Sequence, residues 1–261
     1  MTNCNATNII LSTYNSVEDI LLNVDIYKYN FKHKYNLIAC VNDKETLKKI
    51  RNLNIVDSAI LGTNIPVEGS YPYARLHSRI YDSIKNGFIE SSKFEANYSI
   101  HNHADAIILK EDSLTSITNQ MKDKNKMAAV RGRGFGWYYK FSSIGMIDDH
   151  FLVFNKKLIE DKLIFQHEAM ELLPTRNNIH GILAMMILSN IGLKNTLFHS
   201  DVNKLKSWDD TFVNMKGNYM RPMSIDIERG FLHINHKSFL KNHFLKIIQN
   251  NYWHIIYIVI I

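Results

Sequence analysis

The stretch Asn97-Tyr98-Ser99-Ile100-His101-Asn102-His103-Ala104-Asp105-Ala106-Ile107-Ile108-Leu109 is a short apolar strand that runs into three close-set polar side chains and then returns to apolar sequence. Alternate side chains of an extended chain share a face. His101, His103 and Asp105 therefore project together, while Asn102 and Ala104 face the other way. Two imidazoles and a carboxylate on one sheet edge can hold a divalent metal or a metal-bound phosphate. The same spacing also fits a polar strand end with solvated histidines, and the flanking segments decide between the two.

Upstream, the chain alternates strands and helices. Asn8 to Leu11 reads as a buried strand that exits through Ser12-Thr13-Tyr14-Asn15, and Ser16 is placed to cap a helix starting at Val17. Tyr35 to Val41 is a second strand, ending in Asn42-Asp43, with a helix from Glu45 to Asn52. Ile55 to Leu61 is a third, followed by a loop from Gly62 to Pro72 that glycine and proline punctuate. Ala74 to Asn86 is an amphipathic helix with Leu76, Ile80 and Ile84 on one face, and Gly87 is expected to end it. Strand–helix units in series predict an α/β fold: a mainly parallel, Rossmann-like sheet with helices on both faces. Ligands of such sheets bind at the carboxyl ends of the strands. Four strand exits here are polar: Ser12 to Asn15, Asn42-Asp43, Thr63-Asn64 and His101 to Asp105.

Downstream, Glu111 to Met121 reads as a helix and Met127 to Val130 as a short strand. The run Arg131-Gly132-Arg133-Gly134-Phe135-Gly136-Trp137-Tyr138-Tyr139 reads as a mobile loop able to approach a phosphate or stack on a sugar. Gly145 to Phe154 is a strand with the acidic pair Asp148-Asp149 at its entry. His167 to Leu173 is a helical turn or two broken by Pro174, Ile182 to Asn190 an apolar helix, and Leu193 to Phe198 a further strand before a polar loop, His199 to Trp208. Residues 1–235 are expected to form one domain in two halves, 1–110 and 111–235, and 236–261 a short helical or apolar extension. That tail mixes basic and apolar residues from Lys237 and ends Tyr252-Trp253-His254-Ile255-Ile256-Tyr257-Ile258-Val259-Ile260-Ile261. It either lies on an anionic membrane surface or packs on the core.

Composition narrows the class. The chain has 261 residues, 46% of them hydrophobic and 21% charged, which fits a globular domain and argues against disorder or a coiled coil. A formal charge of +6 favours anionic partners. The basic residues are scattered rather than gathered in a stripe with interleaved aromatics, so nucleic acid is not expected. The two cysteines, Cys4 and Cys40, form no Cys-x-x-Cys pair, and no apolar run reaches the roughly 20 residues of a membrane span. A cytoplasmic protein, peripheral at most to the inner face of a membrane, is the expectation.

The order of these elements from Ile9 to Phe198 resembles glycosyltransferases of the GT-A type, nucleotide-diphospho-sugar transferases, and within them enzymes of surface-polysaccharide and lipopolysaccharide synthesis. Ile10-Leu11-Ser12-Thr13-Tyr14-Asn15 is similar to the family's first strand and base-contacting turn, Val41-Asn42-Asp43 to its second strand with an acidic end, and Ala74-Arg75 to Arg79 to the helix before its metal strand. That strand usually ends in Asp-x-Asp; here it ends in His103-Ala104-Asp105, a histidine replacing the first aspartate. Imidazole with carboxylate suits manganese-like ions.

The resemblance implies transfer of a sugar from a nucleotide-diphosphate donor to a hydroxyl of a glycan or glycolipid, with 1–110 as the nucleotide-sugar half and 111–235 as the acceptor half. It implies a divalent ion, manganese or magnesium, on Asp105 and His103. Thr13, Asn15 and Asp43 would meet the nucleoside, and Arg75 or Arg79 the diphosphate or ribose. The base would be Asp149, then Glu171, or His180, which stands where the family carries an acid. A nucleotidyltransferase of related fold is the rival, but Ser12 to Ser16 lacks the glycine and basic residue of its phosphate loop. A degenerate sugar-nucleotide-binding protein is the other. His167-Glu168 does not open a His-Glu-x-x-His helix, because Glu171 stands in place of the second histidine.

Overall fold

A computed structural model of the chain describes residues 7–68, 70–132, 147–161, 164–175, 178–198, 223–226 and 231–234. Cys4, most of the glycine- and aromatic-rich loop, the polar loop after Phe198 and the C-terminal tail lie outside the described residues.

The strand–helix alternation yields β1 (Thr7–Thr13), α1 (Val17–Asn30), β2 (Asn36–Val41), α2 (Lys44–Leu53), β3 (Ser58–Leu61), α3 (Pro72–Ser91) and β4 (Tyr98–His103). It continues through β5 (Ala106–Ile108), α4 (Glu111–Asp123), β6 (Ala128–Gly132), β7 (Ile147–Asn155), α5 (Lys156–Glu160), α6 (Ile179–Ile191) and β8 (Thr196–Phe198). Short 3₁₀ turns span Ala169–Thr175 and Leu193–Asn195, and β9 (Met223–Asp226) and β10 (Phe231–Ile234) follow. Seven strands form one sheet in the order β3-β2-β1-β4-β7-β6-β8. Every pairing in it is parallel except those made by β7, which runs against both β4 and β6. β5, β10 and β9 make a separate three-stranded sheet, antiparallel where β10 meets each neighbour.

The apolar runs of the central strands are continuous because both faces are covered. Ile9 and Leu11 of β1 join Ile100, Phe151 and Val153 on one side, under Ile20 and Val24 of α1, Leu47 and Ile50 of α2, and Leu114 and Ile117 of α4. Ile10 of the same strand points the other way, into a second core with Tyr81, Ile84 and Phe88 of α3, Leu152 and Phe154 of β7, and Ile182, Leu183 and Ile187 of α6. The result is three layers, helices over and under a mainly parallel sheet, as the sequence predicts.

Two local expectations change. The stretch 97–109 is not one strand: it breaks at Ala104-Asp105, and its halves join different sheets. Nor does Gly87 end α3, which continues to Ser91. A Cβ at position 87 would lie 2.5 Å from Ile10 Cγ2, so the glycine lets the helix approach β1 closely. Among the described residues no helix is long and apolar enough to cross a membrane.

Candidate functional site

Six strands of the large sheet point the same way, so the exits of β1, β2 and β4 share an edge. β7 runs in the opposite sense, which brings its entry, Asp148-Asp149-His150, to that same edge. Ser12 of β1 is in register with His103 of β4, and Asn102 of β4 with Phe151 of β7. His103 therefore comes beside His150, with ring centroids 4.8 Å apart.

Over this edge opens a cleft of about 600 Å³. Ser12, Thr13, Tyr14, Asn15, Ser16 and Asp19 line it from the β1 exit and the start of α1, and Asn42 from the β2 exit. Leu76, Arg79, Ile80 and Ser83 of α3 line it as well, as do His103 and Asp105 at the β4 exit. The Arg79 guanidinium lies 4.1 Å from the centre of the Tyr14 ring, a cation–π pair on the wall. Buried Asn42 is fixed by two bonds: its carboxamide accepts from Ser83 Oγ at 2.8 Å and donates to the Thr63 carbonyl at 3.2 Å.

The turn that carries Asp105 is held from within. The Asn23 side chain donates to the Ala104 carbonyl at 2.6 Å, and the Asn102 side chain donates to the carbonyls of His103 and Ala106. The Ala104 N–H donates to the Ser12 carbonyl at 2.9 Å, tying the turn to β1. Asn102 thus uses the face opposite His101 and His103 to shape the chain break. His101 is fully buried and its Nε2 is 2.8 Å from Ser12 Oγ. It is an internal partner of the β1 exit.

Behind His103 the acidic and imidazole groups converge. Asp149 Oδ2 is 3.5 Å from His103 Nε2, and Asp149 Oδ1 is 3.5 Å from His150 Nδ1 and 3.3 Å from His180 Nδ1. Asp148 Oδ1 meets His150 Nδ1 at 2.6 Å, and its other oxygen lies 3.7 Å from Arg131 Nη1. Burial would push the Asp149 carboxyl up, but the His150, His103 and His180 imidazoles hold it below the usual carboxylate range. Burial would likewise lower His150, yet Asp148 and Asp149 outweigh it and raise the imidazole to about 9. His103 is kept below the ordinary imidazole value by burial, with Asp149 opposing in part. Asp148, Asp149 and His150 offer three ligand atoms within 4.8 Å of one another, the one such group of three found among the described residues.

The residues expected from sequence separate into two sets. Thr13, Asn15, Arg79, His103 and Asp105 come together around the cleft, and Asp149 and His180 meet beside it. Asp43, Arg75 and Glu171 do not line it. The Asp43 carboxylate caps α2, accepting from the N–H and the hydroxyl of Thr46, and these bonds lower its pKa. The Arg75 side chain donates to the Ser70 carbonyl at 2.9 Å. Exposed Glu171 accepts from the Glu168 N–H and sits 3.5 Å from His167 Nδ1. The compact donor group also differs from the expected His103–Asp105 pair: it is Asp148, Asp149 and His150, with His103 adjoining. His150 had no expected role, and Arg131, expected to open the glycine-rich loop, instead belongs to β6 and lies beside Asp148. The acidic pair ahead of His150 was the visible signal, and the reversed direction of β7 gives it meaning.

No protein-family model matches the chain, and no curated protein matches it. Among solved structures it is similar to S. aureus TarS, with a TM-score of 0.47 and 13% identity over 75% of this chain and 35% of that one. It is similar to S. aureus TarS 1-349 in complex with UDP-GlcNAc, with a TM-score of 0.47 and 14% identity over 75% of this chain and 56% of that one. It is also similar to the mannosyltransferase PcManGT from Pyrobaculum calidifontis in complex with GDP-Man and Mn2+, with a TM-score of 0.46 and 12% identity over 75% and 55%. The aligned part thus spans from about a third to somewhat over half of those chains.

Proposed function

We propose that the protein is a glycosyltransferase that binds a nucleotide-diphosphate sugar in the cleft and transfers its sugar to a hydroxyl. One observation carries this reading: a cleft at the carboxyl edge of parallel strands is lined both by an aromatic–arginine pair, Tyr14 and Arg79, and by an imidazole and a carboxylate, His103 and Asp105. A nucleoside suits the first pair, where Tyr14 and Arg79 offer a ring and a cation and Thr13 and Asn15 offer polar groups. A diphosphate and sugar suit the second, at His103 and Asp105. Asp43 has its cap to serve and Arg75 its loop carbonyl, so neither is given a donor contact.

The donor groups fit a divalent ion. Two carboxylates and an imidazole converge within 4.8 Å, and His103 Nε2 is buried next to Asp149 with no hydrogen-bond partner. Asp148, Asp149 and His150 would hold the ion, with His103 and Asp105 toward the cleft. When bound, it supplies positive charge against the departing diphosphate.

Proton removal from the acceptor falls to His180 in this reading. The Ile147 carbonyl at 3.1 Å and Asp149 at 3.3 Å both face His180 Nδ1, which places the proton there and makes Nε2 the basic nitrogen. Asp149 is too deeply buried to meet the acceptor itself and acts as the carboxylate that orients the ring. A glycan or glycolipid acceptor is supported by the exposed rings of Tyr71 and Tyr73 at the start of α3, one turn before the cleft residue Leu76. A role in surface-polysaccharide synthesis, at the inner face of a membrane, remains the sequence-based expectation.

The test is turnover. Incubation with UDP-, GDP-, CMP- and dTDP-sugars, divalent ion and mixed glycan acceptors should release one nucleotide, read by chromatography. Asp105→Asn should slow that release by about 100-fold or more. An Asp105→Asn protein with full activity would remove the residue from the site, and no release from any donor would sink the reading.

A further inference from the structure

The acid–imidazole edge is unusually rich in nitrogen. Asp149 faces His103 Nε2 and His150 Nδ1, both at 3.5 Å, and Asp148 faces His150 Nδ1 at 2.6 Å. We propose that Asp148, Asp149 and His150, with His103 adjoining, form a mixed nitrogen–oxygen cation site that takes ions of the zinc and cobalt class in preference to magnesium or calcium. The proposal rests on the reading of this edge as the ion-holding side of a sugar-nucleotide site, and it narrows the ion that the site takes.

The argument is one of donor chemistry. Magnesium and calcium are hard ions that take six or more oxygen donors, and magnesium releases its waters reluctantly. Imidazole nitrogen is a softer donor, and affinity for it rises along the first transition row from manganese toward nickel and copper, with zinc close behind. Two carboxylate oxygens and the His150 nitrogen, with the His103 nitrogen adjoining, are donor types that zinc accepts. A strand end with two aspartates alone would offer magnesium a purely oxygen surface; here His150 puts a nitrogen among the three converging donors and His103 adds another beside them.

Two further observations support a built site. His103 Nε2 is buried beside Asp149 without a hydrogen-bond partner, a costly state that a bound cation relieves. The surrounding groups also orient the donors: Arg131 stands 3.7 Å from Asp148, and the His180 ring stands 3.3 Å from Asp149 while facing the Ile147 carbonyl. Partners of this kind fix ligand geometry in metal sites.

The experiment uses the full chain, stripped with a chelator and titrated with the metal salts alone. Cobalt should give a visible d–d absorption band. Zinc should displace it, manganese should compete more weakly, and magnesium should bind at least on the order of tenfold less tightly than cobalt. His150→Gln and His103→Gln should each weaken cobalt binding by about tenfold or more. His167→Gln, an exposed imidazole outside the cluster, should leave it unchanged. Magnesium binding as tightly as cobalt, or a cobalt band that survives both substitutions, would overturn the proposal. The wild-type series decides even if a variant misfolds. Nucleotide binding is read separately by calorimetry: zinc binding without any nucleotide binding refutes the transferase reading, whereas nucleotide binding with magnesium preferred over zinc refutes this one.

Discussion

Glu111 shows how a single residue can be fixed by a need unrelated to the cleft. Its carboxylate accepts from the backbone N–H groups of Lys32 and His33 and from the Tyr35 hydroxyl, each at 2.9 Å, clamping the turn between α1 and β2. Burial opposes ionisation, but these donors outweigh it and bring the carboxyl below its ordinary value of 4.5. The sign follows: the native state binds this proton less readily than the unfolded chain does. The contribution to stability is therefore complete above pH 4.5 and is lost as pH falls through the lower native value. Glu111→Gln should cost on the order of 2 kcal/mol at neutral pH. The gap between variant and wild type, read by urea unfolding, should close as pH drops below that point; a pH-independent gap would contradict the assignment. From sequence alone Glu111 is an ordinary first residue of a helix. Its partners lie 76 to 79 positions away, and no local pattern announces them.

At the scale of elements, direction and register decide what the site contains. The sequence predicts each strand of the large sheet to within a few residues, because continuous apolar runs bounded by polar exits mark strands buried on both faces. It does not announce that β7 runs antiparallel. That reversal turns Asp148-Asp149 from a strand entry at the far edge into a neighbour of His103. The break in 97–109 is a second case: alternation suggests three groups on one face, but the chain turns at Ala104, so Asp105 joins the cleft from a turn. Asn102 shapes that turn through its bonds to the carbonyls of His103 and Ala106. Asn102→Ala should cost about 1–3 kcal/mol by leaving both acceptors without their donor. It should also raise the donor KM more than it lowers kcat, because it displaces His103 and Asp105 together. A variant of wild-type stability and kinetics would show that the turn holds its own shape.

On the scale of the whole molecule, two cores flank one sheet, and the functional groups gather where neither core covers it. Thr13, Asn15, His103 and Asp105 line one cleft because strand exits of a parallel sheet share an edge, and Arg79 reaches that cleft from α3. Asp43 and Arg75 come from the same exits and helix, yet capping and loop bonds occupy them; such local hydrogen bonds compete with ligand roles in ways a residue's type does not reveal. The central claim is that the cleft between Tyr14, Arg79 and Asp105 is a sugar-nucleotide site. It is tested most directly by calorimetric titration of the full chain with UDP-, GDP-, CMP- and dTDP-sugars, repeated with Arg79→Ala. The account predicts saturable binding of one nucleotide class, at one site per chain, weakened by about tenfold or more in the variant. Binding of none of the four, or binding that Arg79→Ala leaves untouched, would contradict it.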